Sequence, residues 1–124
     1  MPMARLKEKT ARGRIDQIRR LQREAVEKFK ALLRERTEGK GYRLLEPVEE
    51  VEKDVVRPID LIVVLPRTPT SLEENLALRK PINDAYWQVW DEYQPKLGDL
   101  FFHVMVLYPN EVKGVSGGWR KVRL

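Results

Sequence analysis

The sequence predicts an α/β (α+β) fold, a small mixed sheet with helices packed on it. Three observations predict it: a long opening segment with helical apolar periodicity, two strongly apolar runs next to prolines, and a second amphipathic helix between those runs. At 124 residues the chain is long enough to bury one core and too short to expect two, so a single domain is predicted over 1–124.

Ile15, Ile18, Leu21, Ala25, Val26, Phe29, Leu32 and Leu33 recur at helical spacing among Arg, Lys and Glu, which predicts a helix over Arg14–Arg36. Gly13 weakens the turns before it, and Gly39 and Gly41 supply its stop. Tyr42–Leu45 is a short strand candidate. The acidic stretch EPVEEVEKD, Glu46–Asp54, suits a loop or a sheet edge. Ile59–Leu65 is a continuous apolar run between Pro58 and Pro66, the pattern of a central strand covered on both faces.

Ser71 followed by Glu74 is a capping-box signature that opens a helix over Ser71–Tyr93. Its apolar face is Leu72, Leu76, Leu78, Ile82, Ala85, Tyr86, Val89 and Trp90, and Pro81 predicts a kink or a break near Lys80. Phe101–Tyr108, stopped by Pro109, is the third strand. The ends, 1–13 and 113–124, are expected to be mobile, the second being Gly-rich and then basic.

Composition narrows the chemistry. With 42% hydrophobic and 35% charged residues the chain belongs to the soluble globular class with a heavily charged surface. Arg/Glu-rich usage without cysteine fits a thermophilic protein. The absence of Cys excludes disulfides, thiolate zinc sites and a Cys nucleophile, and a single His excludes a His-based metal cluster within one chain. No apolar run approaches the about 20 residues of a membrane span, and no apolar segment follows the basic N-terminus, so a cytoplasmic protein with no membrane partner is expected.

A net charge of +5 and a pI of about 9.6 permit nucleic acid as a partner. The residues suited to a phosphate backbone are Arg12, Arg14, Arg19, Arg20, Arg23, Arg120, Lys121 and Arg123, with Trp119 as a stacking group. Tyr86, Trp87, Trp90 and Tyr93 either stack a base or pack in a core or interface.

From Tyr42 onward the chain resembles the minimal nucleotidyltransferase domain, the smallest version of the polymerase-β-like nucleotidyltransferase fold. YRLLEPVEEVEKDVVRPIDLIVVLP has that family's order of strand, loop and second strand ending in Leu-Pro. SLEENLALRKPINDAYWQVWD stands where the family has a helix, and HVMVLYPNEV looks like its third strand. The resemblance implies that Asp60 is a catalytic position and a metal ligand, that His103 occupies the third-strand carboxylate position, and that Glu46 and Pro47 occupy the nucleotide-binding Gly-Ser position. Pro58 stands where the first Asp of the Asp-x-Asp motif would be.

Nucleotidyl transfer uses two divalent cations held by two or three carboxylates, and proline removes an amide donor while Glu places negative charge where phosphates would lie. The expectation is therefore a catalytically degenerate nucleotidyltransferase-fold protein, without cofactor, that acts by binding a macromolecular partner: another protein or a second copy of itself. Two alternatives stay open. One is an active, Mg²⁺-dependent minimal nucleotidyltransferase that nucleotidylates a helical partner of toxin–antitoxin type. The other is a small basic nucleic-acid-binding accessory protein. The apolar face of the first helix or the aromatic second helix is the expected contact surface.

Overall fold

The computed structural model describes residues 2–48, 55–115 and 117–124, with side chains from residue 13 onward. Its elements are α1 (Pro2–Thr37), β1 (Arg43–Pro47), β2 (Asp60–Val64), α2 (Leu72–Leu97), β3 (His103–Leu107) and β4 (Trp119–Val122), with 3-10 turns at Gly98–Leu100 and Pro109–Gly114. The sheet order is β3-β2-β1-β4. β1 is antiparallel to β2 and β4, whereas β2 and β3 are parallel. Parallel neighbours need a crossover, and α2 is that crossover. The α+β class with a mixed sheet is as the sequence predicts.

α1 buries Gln22, Ala25, Val26, Phe29, Leu33 and Thr37, one stripe at helical spacing. α2 buries Leu78, Ile82, Ala85, Val89, Tyr93 and Leu97. Both stripes pack on one face of the sheet, against Leu44, Leu61 and Val63, with Val104, Val106 and Val122 at the margins. The opposite face is a smaller cluster of Leu45, Ile62 and Val64, covered by Leu107, Val112, Val115 and Trp119. The run Ile59–Leu65 is thus covered on both faces, as its continuous apolarity implies, and it lies beside the third strand as expected.

Gln22, only 4% exposed, ties the layers together. Its Nε2 donates to the carbonyls of Arg57 and Leu100, each at 2.9 Å, so one α1 side chain satisfies the backbone that enters β2 and the backbone that enters β3. The turn after α1 ends at Gly41 with φ +86°, where a Cβ would also stand 3.2 Å from the Cβ of Pro66.

Four expectations are corrected. The helical backbone of α1 begins at Pro2, not Arg14, because Gly13 lowers helix propensity without ending a helix. Far from forming a loose end, Trp119–Val122 pairs with β1 in the register Leu44↔Val122 to Pro47↔Trp119, and among the described residues the sheet has four strands rather than three. Val122 drops into the helix-side core and Trp119 onto the opposite cluster, so this short strand buries a side chain on each face.

Of the kink or break expected at Pro81, the break does not occur: α2 runs continuously from Leu72 to Leu97. The missing N–H orphans the carbonyl of Ala77, an exposed residue, where water can satisfy it. Leu72 and Leu76, expected in the apolar face, are 72% and 60% exposed, because helical phase turns them away from the buried stripe of Leu78, Ile82, Ala85 and Val89. At the start of α2 the Ser71 Oγ accepts from the Glu74 N–H (3.1 Å) as expected, while the Glu74 carboxylate bonds Thr70 N (3.0 Å) and Arg67 Nε (2.6 Å) instead of closing the box on Ser71. Within the acidic stretch, Glu46 and Pro47 belong to β1, and 49–54 lie outside the described residues.

Candidate functional site

At the end of the sheet where β1 leaves and β2 enters, a cleft of about 450 Å³ opens between α1 and the strands. Arg23 and Lys30 come from α1, Glu46 from β1, Arg57 and Asp60 from the entry to β2, and Trp119 and Arg120 from β4. The strand alternation sets where each points. Glu46 pairs in register with Arg120, two residues from the Leu44↔Val122 pair, so both side chains stand on the helix side under α1.

Glu46 is clamped there. Its Oε1 accepts from Arg120 Nε at 2.7 Å, and its Oε2 from Lys30 Nζ, which also donates to Glu27 Oε1 at 3.1 Å. Burial pushes the Glu46 carboxyl up, but the hydrogen bonds from Lys30 and Arg120 outweigh it and hold the group below the ordinary carboxylate range. For Lys30, burial acts to lower the pKa, and the hydrogen bonds to Glu46 and Glu27 raise it above the ordinary lysine value.

Glu46 therefore favours folding most above its ordinary pKa of 4.5, and that contribution fades as pH falls through its lower folded value. Glu74 acts in the same direction, its carboxyl lowered to about 2, first by the Thr70 backbone N–H and then by Arg67. Urea unfolding should accordingly show stability level between pH 6 and 8 and falling below about pH 4.5, with a shallower acid limb in Glu46→Gln. An acid limb identical in both proteins would remove Glu46 from this account.

Asp60 and His103 are register partners on the parallel strands β2 and β3, as the resemblance implies, with Asp60 Oδ1 and His103 Nδ1 3.5 Å apart. Their parity places them on the sheet face opposite Glu46. The two side chains are 69% and 61% exposed, so the pairing is worth at most about 1 kcal/mol. Pro58 offers no side-chain ligand, and both Glu46 oxygens already accept from cations. Among the described residues no group of three or more His, Asp or Glu is arranged to hold a metal ion. This donor set does not fit the oxygen-rich coordination that a pair of Mg²⁺ ions demands.

The basic residues divide into two groups. Arg19, Arg20 and Arg23 line a shallow groove on α1 with Asp16, Glu24 and Glu27, and Arg19 donates to the Val55 carbonyl at 3.2 Å. Arg14 is exposed two helical turns before Arg20, while the side chain of Arg12 lies outside the described residues. On β4, Arg120 belongs to the clamp, Lys121 is exposed on the other face, and the Arg123 carbonyl accepts from Arg34 Nε (3.2 Å) and Nη2 (2.9 Å). Trp119 borders the cleft and packs on the cluster of Leu45, Ile62 and Val64. Tyr86, Trp90 and Tyr93 belong to the core, and Trp87 alone of the four aromatics is mostly exposed, at 55%.

Lys30 and Arg34 join this side without having been singled out from the sequence. Charge segregation is the signal that finds them. Residues 14–36 carry eight Lys/Arg against four Asp/Glu and 120–124 carry three against none, whereas 37–119 carry nine against fourteen. The fold sets β4 beside the flank of α1 that carries Lys30 and Arg34, while Lys28 and Arg36 turn to the α2 flank and pair with Glu92 and Asp84. Among the described residues no helix is long and apolar enough to cross a membrane. Compared with known proteins, the chain matches no family model, no curated protein and no solved structure.

Proposed function

We propose that this chain acts by binding rather than by nucleotidyl transfer, and that its partner is a nucleic-acid strand held through its phosphates along the flank formed by α1 and β4. The carrying observation is the charge segregation: cations of two basic segments far apart in the sequence, Arg20, Arg23, Lys30 and Arg34 of α1 and Arg120 of β4, meet on one flank, while residues 37–119 are net acidic. A phosphate backbone is the partner that such a one-sided cationic strip suits, since each neutralised phosphate releases counterions. The cleft supports the same reading, because Glu46 enters it already neutralised by Lys30 and Arg120. On this reading the fold is a nucleotidyltransferase-like scaffold, cytoplasmic and without cofactor, whose catalytic positions no longer hold a metal pair.

A second reading, an active nucleotidyltransferase, draws on the accessible Asp60–His103 pair. One titration separates the two. A labelled single-stranded oligonucleotide followed by fluorescence anisotropy should bind with a Kd of roughly 1–100 μM near physiological salt and more tightly below it. No binding at low salt, together with micromolar Mg²⁺–ATP binding that Asp60→Asn abolishes, would replace the first reading by the second.

A further inference from the structure

The order β3-β2-β1-β4 leaves the outer side of β3 without a strand among the described residues. The His103 N–H donates to the Ile59 carbonyl (2.8 Å) and the Leu107 carbonyl accepts from the Leu65 N–H (2.9 Å). The backbone groups of His103, Met105 and Leu107 therefore face β2, and those of Val104 and Val106 face outward. An open edge of this kind is normally blunted by Lys, Pro or a bulge. The opposite edge strand, WRKV, carries Arg120 and Lys121; the sequence of β3, HVMVL, carries no such device.

The exposed apolar side chains gather at the same edge. Gln88 and Glu92 of α2 contact Arg36 and Lys28 of α1, so that flank of α2 faces α1. Leu72, Leu76 and Trp87 lie on the other flank by helical phase. There Asn83, Tyr86 and Trp87 meet Val104 and Val106 around a cavity of about 280 Å³. Met105, 59% exposed, stands on the other face of the strand.

We infer that β3 pairs antiparallel with β3 of a second copy of this chain, across a two-fold axis at Met105, joining the two sheets into one. The register is the one that overlaps all five residues of the strand. Val104 and Val106 then exchange both backbone hydrogen bonds with Val106 and Val104 of the other copy, Met105 faces Met105, and His103 faces Leu107, so no like charges are opposed. A strand from another protein would satisfy the same amides. A second copy also brings a matching α2 flank, so that Trp87 of both copies, beside Val104 and Val106, is withdrawn from water at the seam. This pairing does not depend on nucleic-acid binding, which lies on the other side of the sheet.

The chain contains no cysteine, which makes the test direct. Facing residues of a non-hydrogen-bonded antiparallel pair have Cβ atoms about 4.5–5.5 Å apart, near the span of a disulfide. A Met105→Cys variant should form a covalent dimer under mild oxidation, while Lys121→Cys on the β4 edge forms no disulfide between copies. In sedimentation the unmodified chain should run as a dimer, and Met105→Asp, which opposes two carboxylates at the axis, as a monomer with an unchanged circular dichroism spectrum. A monomeric wild type, a dimer that Met105→Asp leaves intact, or cross-linking of Met105→Cys no faster than that of Lys121→Cys would overturn the proposal.

Discussion

Phe29→Ala is expected to cost about 3–5 kcal/mol of folding stability, most of what a domain of this size has to lose. Phe29 is fully buried where α1 crosses the sheet, its ring 5.2 Å from that of Phe102 and 6.4 Å, edge-on, from that of Tyr86. Tyr86 in turn bonds the Phe102 carbonyl (3.0 Å) and packs edge-on against Phe101, so the cavity would open at the joint between α1, α2 and the entry to β3. Close packing on all sides limits how far the neighbours can relax into the space. Urea denaturation at pH 7 measures the effect; a loss below about 1 kcal/mol would mean that this cluster is not the centre of the core.

Reversing two exposed α1 cations, Arg20→Glu with Arg23→Glu, is expected to weaken oligonucleotide binding by about two orders of magnitude at low salt, roughly 3 kcal/mol. Both arginines sit on the outer surface of α1, with Arg23 reaching the rim of the cleft, and neither packs in the core. The folding stability of this variant should therefore stay within about 0.5 kcal/mol of the wild type. Anisotropy titrations measure the first quantity and urea denaturation the second. Equal affinity in both proteins would move the binding surface elsewhere.

Where a local pattern carries the structure, the sequence is enough to see it. The stripe Ala25, Val26, Phe29, Leu33 recurs at helical spacing, and the short β-branched run Ile59–Leu65, set between Pro58 and Pro66, reads as a covered strand. β4 is invisible for the opposite reason: two apolar residues among Gly, Arg and Lys make a strand only once β1 offers its free edge. Leu72 and Leu76 are apolar but fall off the helical phase of Leu78, Ile82, Ala85 and Val89, so apolar character alone does not place them in the buried stripe.

The candidate site divides in the same way. The Asp60↔His103 juxtaposition is one that the resemblance implies, and the parallel pairing of β2 and β3 sets it. The Lys30–Glu46–Arg120 clamp draws on three distant segments, and single charges in a sequence do not announce which of them converge.

The salt dependence of oligonucleotide affinity, measured for the wild type beside Arg20→Glu/Arg23→Glu, tests the central claim most directly. If the α1–β4 flank holds a phosphate backbone, log Kd rises linearly with log[salt], and the double variant loses about 1.4 from the slope, 0.7 for each phosphate contact removed on a single strand. A slope unchanged by the double reversal, or binding indifferent to salt in the wild type, would contradict the account.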